Sequence, residues 1–157
     1  MTLAKKHLEE LQERRQRVLE AGKGEKADKR HAEGRLTARE RLDVLFDPDT
    51  FQEMGMHIRH TATAFGMAGK EMPADGVVVG HGLVDGITVA AFSQDFAVAA
   101  GTLGKQHAEK IVKAQRMAMR MGVPMVALQD SGGARIQEGV DALSGYGQVF
   151  YNNVLLS

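Results

Sequence analysis

Apolar residues are sparse at the start of the chain and dense in its second half. Over residues 3–21, Leu8, Leu11 and Val18 form a narrow stripe in a run of charges, at spacings of three and seven. That pattern predicts an amphipathic helix lying on a surface or against a partner, not in a core. Gly22 and Gly24 stop it. Residues 23–35 show no period and read as an extended polar loop. Thr37 and Glu40 have the spacing of a capping box, so a short helix should run through Leu42 and Leu45 and end at Asp47-Pro48-Asp49. Phe51 to Ile58 fits a strand, Ala62 to Lys70 a mobile loop, and Pro73-Ala74-Asp75-Gly76 a turn.

The pattern then becomes sharper. Val77–Val84 and Ile87–Ser93 are apolar nearly throughout and are separated by Asp85-Gly86, a strong hairpin signal of type I′. Strands apolar on both faces predict a covered sheet. Gly101 to Gly104 opens a helix to about Met121, with Ile111, Ala114, Met117 or Ala118, and Met121 on its apolar face. Gly122 suits the position after that helix, and Pro124 prevents its return. Residues 125–129 make a short buried strand, and a helix is expected again from about Ala134. The order strand, strand, helix, strand, helix is an α/β pattern with one βαβ crossover. It divides into a helical N-terminal extension, residues 1–50, and the front part of an α/β domain, residues 51–157. The apolar run Asn153-Val154-Leu155-Leu156-Ser157 suggests a truncated domain.

Composition narrows the function. Twenty Lys and Arg balance twenty Asp and Glu, which argues against a general nucleic-acid or membrane-surface binder. The chain has no cysteine, so disulfides, thiolate catalysis and cysteine-ligated zinc are excluded. No apolar run approaches the ~20 residues that span a bilayer. Glu9, Glu10 and Glu13 stand where a signal peptide would be apolar, so a cytoplasmic location is expected.

The candidate chemistry sits at QDSGGARIQEG, residues 129–139. Gly132 and Gly133, between a strand and a helix, let the backbone turn sharply and leave their N–H groups uncovered by any Cβ. A helix starting at Ala134 would point its positive end at the same place. Two readings stand side by side: a tight turn, or a hole for a negatively charged oxygen. A Walker loop and a dinucleotide fingerprint are both excluded by spacing. Asp130 reads as a turn cap and Arg135 as a partner for a carboxylate such as Glu138. The six histidines show no metal-ligand spacing, so no metal is expected. The stretch Lys23–Arg41 holds seven cations against four acids, a solvated face or a surface that meets phosphates.

Three segments carry a resemblance: GRLTARERLDVLFDPDTF (34–51), PADGVVVGHGLVDGITVAAFSQDFAVAAGTLG (73–104) and DSGGARIQEGVDALSGYGQVF (130–150). Their order closely resembles the carboxyltransferase (beta) subunits of biotin-dependent acyl-CoA carboxylases of the propionyl-CoA carboxylase type. Transcarboxylase and sodium-pumping decarboxylase subunits look similar. The resemblance implies an incomplete crotonase-like ββα superhelix (ClpP/crotonase fold). It implies that Gly132 and Gly133 form an oxyanion hole for the acyl-CoA thioester carbonyl. It also implies that the loop 95–104, with Phe96, Ala97, Gly101 and Gly104, and Ala134 beside the glycines, belongs to the CoA-binding wall. Carboxybiotin carried on a partner subunit or domain would release CO2 to the enolate, and the departing biotin would take the α-proton. The implied partners are acyl-CoA, a biotin carboxylase and biotin carrier, and further copies in a family hexamer. A reading from another class is a non-catalytic scaffold piece that docks through helix 3–21; CoA binding discriminates it.

Overall fold

The structure is a computed structural model that describes residues 3–20 and 22–157. Five helices and four strands follow in the order α1 (Leu3–Glu20), α2 (Glu25–Ala32), α3 (Ala38–Leu45), β1 (Gln52–Met54), β2 (Val77–Val84), β3 (Ile87–Gln94), α4 (Lys105–Met121), β4 (Met125–Leu128) and α5 (Val140–Leu156). Short 3-10 turns cover Pro73–Gly76, Ala99–Gly101 and Ile136–Glu138. Position 21, the expected end of the first helix, lies outside the described residues.

The sheet order is β1-β2-β3-β4. β2 and β3 form the expected hairpin, with Asp85 and Gly86 at φ 50° and 77°, both positive as a type I′ turn requires. β1 pairs antiparallel to β2, and β4 parallel to β3 through the α4 crossover. Alternate residues of β2 enter two different cores. Val77 and Val79 pack with Phe92, Ile111 and Ala114 beneath α4 and α5, whereas Val78 packs with Ala38, Leu42 and Phe46 beneath α3. Covering on both faces is why the strands are apolar throughout.

The local signals at α3 and α4 hold. Thr37 and Glu40 complete the capping box, and Gly122 closes α4 in the left-handed conformation at φ 65°. Asp47 joins α3 to the hairpin tip by accepting the N–H groups of Asp85 (3.1 Å) and Gly86 (2.9 Å).

Three expectations change. Residues 25–32 are a helix, not a loop: Glu25 and Asp28 sit in its first turn and Lys29, Arg30 and His31 in its last, the arrangement that favours a helix dipole. Only Ala27 and Arg30 of this helix are buried, too few to leave a period in the sequence. α5 begins at Val140 rather than near Ala134. Ala134 is drawn into a parallel bridge with Leu103, and a 3-10 turn intervenes. The dipole of α5 therefore does not stand directly behind Gly132 and Gly133. β4 is half-buried rather than buried, with Ala127 exposed, because it lies at the sheet edge. α1 buries no residue, as its charges foretold.

Candidate functional site

Two loops meet where β3 and β4 end. One is Asp95–Gly104, leading into α4; the other is Gln129–Gly139, leading into α5. They are stitched together by backbone: Gly132 N–H donates to the Ala100 carbonyl (2.9 Å), Leu103 N–H to the Gly133 carbonyl (2.9 Å) and Arg135 N–H to the Leu103 carbonyl (3.0 Å). The contact is close enough that a Cβ at Gly101 would lie 2.2 Å from the Asp130 carbonyl oxygen. Gly101, at φ +62°, permits that approach.

The amides of the glycine pair are both in use. Gly132 N–H is taken by Ala100, and Gly133 N–H donates to the Ser131 hydroxyl (3.0 Å). Ser131 N–H and Ala134 N–H have no acceptor among the described residues. In the bridge with Leu103, the neighbours of Ala134 supply the bonds, so its own N–H turns the other way. Ser131 is exposed and Gly133 half-buried. Both line a cleft of about 360 Å³ whose other walls are the apolar Phe92, Leu103, Tyr146 and Phe150 and the polar Gln94, Gln129, Asp130 and Asn153. An apolar pocket with a few converging N–H groups is the usual form of a small-molecule site. Larger cavities of about 540 Å³ between α2 and α3 and of about 740 and 720 Å³ beside α1 are not lined by the glycine turn; in the first, Arg39 is committed to Glu53, and Glu40 to Thr37 and His31. The smaller cleft is therefore the better candidate.

The remaining expected site residues fall in two places. Phe96 is exposed and lies under the Arg30 guanidinium, 5.7 Å from its ring centre. The Ala97 carbonyl accepts Lys26 Nζ (2.7 Å). These two thus face α2, on the far side of Asp130, which itself pairs with Arg30. Gly104 faces inward: a Cβ there would lie 2.5 Å from Glu138 Oε1 and 2.6 Å from Arg135 Nη1. Glu138 reaches over this glycine to accept Lys105 N–H (2.7 Å), serving as a remote cap for α4.

Sequence reading missed the polar group beneath these loops. Arg135 is buried and donates to Asp75 Oδ1 (2.5 Å), Glu138 Oε1 (3.0 Å) and the Thr102 carbonyl (2.8 Å). The pairing with Glu138 was expected; that with Asp75, 60 positions away, was not. Burial raises the Asp75 carboxyl above its ordinary range, and Arg135 pulls it back part of the way. His107, fully buried, is held down to about 3 by desolvation and is neutral. Lys110 Nζ donates to the carbonyls of Ala74 (2.7 Å) and Val77 (2.5 Å), and burial lowers its pKa to about 8. Among the described residues no group of three His, Cys, Asp or Glu could hold a metal. No helix there is long and apolar enough to cross a membrane.

Residues 29–157 match the family described as carboxyl transferase domain. The chain is 51% identical over 157 residues to the methylmalonyl-CoA decarboxylase subunit alpha of Propionigenium modestum, covering all of this chain and 30% of that protein. It is 46% identical over 150 residues to the propionyl-CoA carboxylase beta chain of Roseobacter denitrificans, covering 96% of this chain and 29% of the relative. A crystal structure of the transcarboxylase 12S hexamer assembly, with methylmalonyl-coenzyme A and methylmalonic acid bound, superposes with a TM-score of 0.95 at 44% identity. That match covers 100% of this chain and 31% of the other. The chain thus spans about three tenths of the length of these relatives.

Proposed function

The chain belongs to the carboxyl transferase domain family, and from that premise we propose that it supplies the acyl-CoA half of a carboxyltransferase active site. The observation that carries the reading is the cleft of about 360 Å³, part apolar and part polar, bordered by Ser131 and Gly133, next to amides with no protein acceptor among the described residues. A thioester carbonyl placed there would receive Ala134 N–H, and Gly133 N–H once it leaves the Ser131 hydroxyl. As the acyl α-carbon loses its proton, charge grows on that oxygen, and the amides stabilise the enolate. Gly132 N–H is spent on the Ala100 carbonyl and holds the turn rather than donating to the substrate. Phe96 and Ala97, beside Lys26 and Arg30, suit the phosphate-bearing end of CoA, because cations lie within reach there.

Carboxybiotin, brought by a partner subunit or domain, supplies the activated carboxyl group when bound. The amides at 131–134 serve the thioester in this reading, and the biotin end is assigned to other residues of the full subunit. Asp130, the carboxylate in the cleft lining, is paired with Arg30, which fits a reaction whose proton leaves with the other reactant. The full subunit, acting as an oligomer in the manner of the transcarboxylase 12S hexamer, is the unit expected to turn over.

The test is carboxyl transfer to propionyl-CoA by the full-length subunit with its biotin-bearing partner, comparing wild type with Gly133→Pro. Loss of one oxyanion donor costs about 10²–10³ in kcat. A folded Gly133→Pro subunit with the wild-type rate would sink the proposal. The 51% identity to a methylmalonyl-CoA decarboxylase subunit supports a second reading, in which the same cleft removes a carboxyl group. Decarboxylation of methylmalonyl-CoA without any acceptor acyl-CoA would select it.

A further inference from the structure

The turn that carries Ser131, Gly132 and Gly133 is gripped at both ends by one closed set of hydrogen bonds. At its start, Asp130 N–H donates to Gln94 Oε1 (3.1 Å). At its end, the Arg135 guanidinium donates to Asp75 Oδ1 (2.5 Å). His107 joins the two grips. Its backbone N–H donates to Asp75 Oδ2 (2.8 Å), its Nδ1 lies 2.9 Å from the Asp75 carbonyl, and its Nε2 lies 3.2 Å from Gln94 Nε2.

The direction of every bond follows from the two fixed ends. A carbonyl only accepts, so His107 Nδ1 carries the ring proton. Its Nε2 is then an acceptor, which the Gln94 amide nitrogen must approach. That orients Gln94 Oε1 toward Asp130 N–H, which only donates. Gln94, His107, Asp75 and Arg135 are all buried, and each of their side-chain polar atoms has a partner among the described residues. A fully satisfied buried network of this kind selects one geometry, because any slip strands a polar group away from water.

Resting on the carboxyl-transfer reading, we infer that Gln94 and His107 are positioning residues that fix the Asp130–Arg135 turn, so that its amides are aimed before substrate arrives. Gln94 lines the cleft with its amide committed to Asp130 and His107, and His107 lies behind it; each acts through the turn. A misplacement of about 1 Å at such a site costs on the order of 100-fold in rate. The charged groups facing the His107 ring are Asp75, Arg135 and Lys110, and burial keeps the ring neutral throughout the ordinary assay range. The wild-type His107 ring therefore contributes no ionisation of its own to the rate.

Replacing the amide with a carboxylate should create one. In Gln94→Glu a carboxylate oxygen faces the lone pair of His107 Nε2. The two repel until one proton is taken up between them; that proton restores a donor while the other oxygen accepts Asp130 N–H. The experiment measures kcat and KM in the full-length subunit with its partner, per folded subunit, from pH 6 to 8.5. Gln94→Glu should lose about 10- to 100-fold in kcat at pH 8.5 and regain most of it by pH 6, with KM for propionyl-CoA changed less than about threefold. Gln94→Met, which keeps the volume and adds no ionisable group, should be slow at every pH. If Gln94→Glu does not fold, Gln94→Met decides alone. A Gln94→Met subunit with wild-type kcat, or a Gln94→Glu profile parallel to wild type, overturns the inference. A wild-type subunit that transfers nothing overturns the premise instead, and is recognised before any variant is read.

Discussion

Two stretches of the chain trace the same uncommon backbone. Ala74-Asp75-Gly76 runs through φ values of 51°, 50° and 73°, and Ala99-Ala100-Gly101 through 48°, 52° and 62°. Left-handed turns built largely from non-glycine residues are strained, and persist only where surroundings hold them. The first is buried and clamped from three sides: Arg135 and His107 hold Asp75, and Lys110 holds the carbonyls of Ala74 and Val77. The second is open on one side, with Ala99 exposed, and is held by the Asp130–Arg135 turn it supports. One serves as an anchor and the other as a rim that backs the turn bordering the cleft. The same conformation is thus bought with buried charge at one end and with backbone pairing at the other.

Breaking the anchor should have the largest effect. Arg135→Met leaves Asp75 buried and unpaired and strips Glu138 of its partner. Removing one member of a buried ion pair costs about 3–5 kcal/mol. Chemical denaturation of the full subunit should show that loss, and a loss under about 1 kcal/mol would mean that Arg135 is dispensable to the anchor. Breaking the rim should cost less stability but more function. Gly101→Ala drives a Cβ against the Asp130 carbonyl, a clash worth about 1–3 kcal/mol of overpacking. The strain is relieved by moving the Asp130–Arg135 turn, so on the proposed reading kcat should fall by at least about 100-fold. Equal damage to stability and none to kcat would show that the rim does not position the turn.

This contrast also explains what the sequence disclosed. The hairpin, the Thr37–Glu40 box and the Gly122 cap are local events, decided by residues within a few positions of one another. The glycine turn at 132–133 was legible for the same reason. The anchor was not, because Asp75, His107 and Arg135 come from three separate segments and meet only after the sheet forms. Asp75 in Pro-Ala-Asp-Gly looks like an ordinary turn residue until its burial is known. α2 was hidden because a helix that buries only Ala27 and Arg30 has no apolar period to read. The α5 start was misplaced by the opposite error: Ala134 to Glu138 have helix-forming side chains, but pairing with Leu103 overrides them.

Lys110 offers a finer probe of the anchor. Its folded pKa of about 8 lies below the ordinary 10.5, chiefly through burial, with Glu53 and Asp75 opposing and Arg39 assisting. Between those two values the unfolded chain binds more protons than the folded one. Stability from this group therefore rises with pH above about 8, by at most about 1.4 kcal/mol per pH unit. Unfolding free energies measured from pH 7 to 10 should climb in wild type relative to Lys110→Met. Parallel curves would mean that the amine is not desolvated at the anchor.

The smallest effect separates the two turns most directly. Ala100→Gly and Ala74→Gly each relieve a left-handed alanine, a strain of about 1–2 kcal/mol. Each also gives the unfolded chain extra freedom, which takes back about 0.4–1 kcal/mol. At Ala100, half-exposed on the rim, nothing else is lost, so stability should rise by about 0.5–1 kcal/mol. At Ala74, 4% exposed, the deleted methyl also gives up buried surface worth about 0.8 kcal/mol, and the gain should vanish. The pair must be compared in one background by denaturant unfolding with matched m-values. If the two substitutions shift the midpoint equally, the anchor draws nothing from its packing, and the distinction between a clamped turn and an open one rests on hydrogen bonds alone.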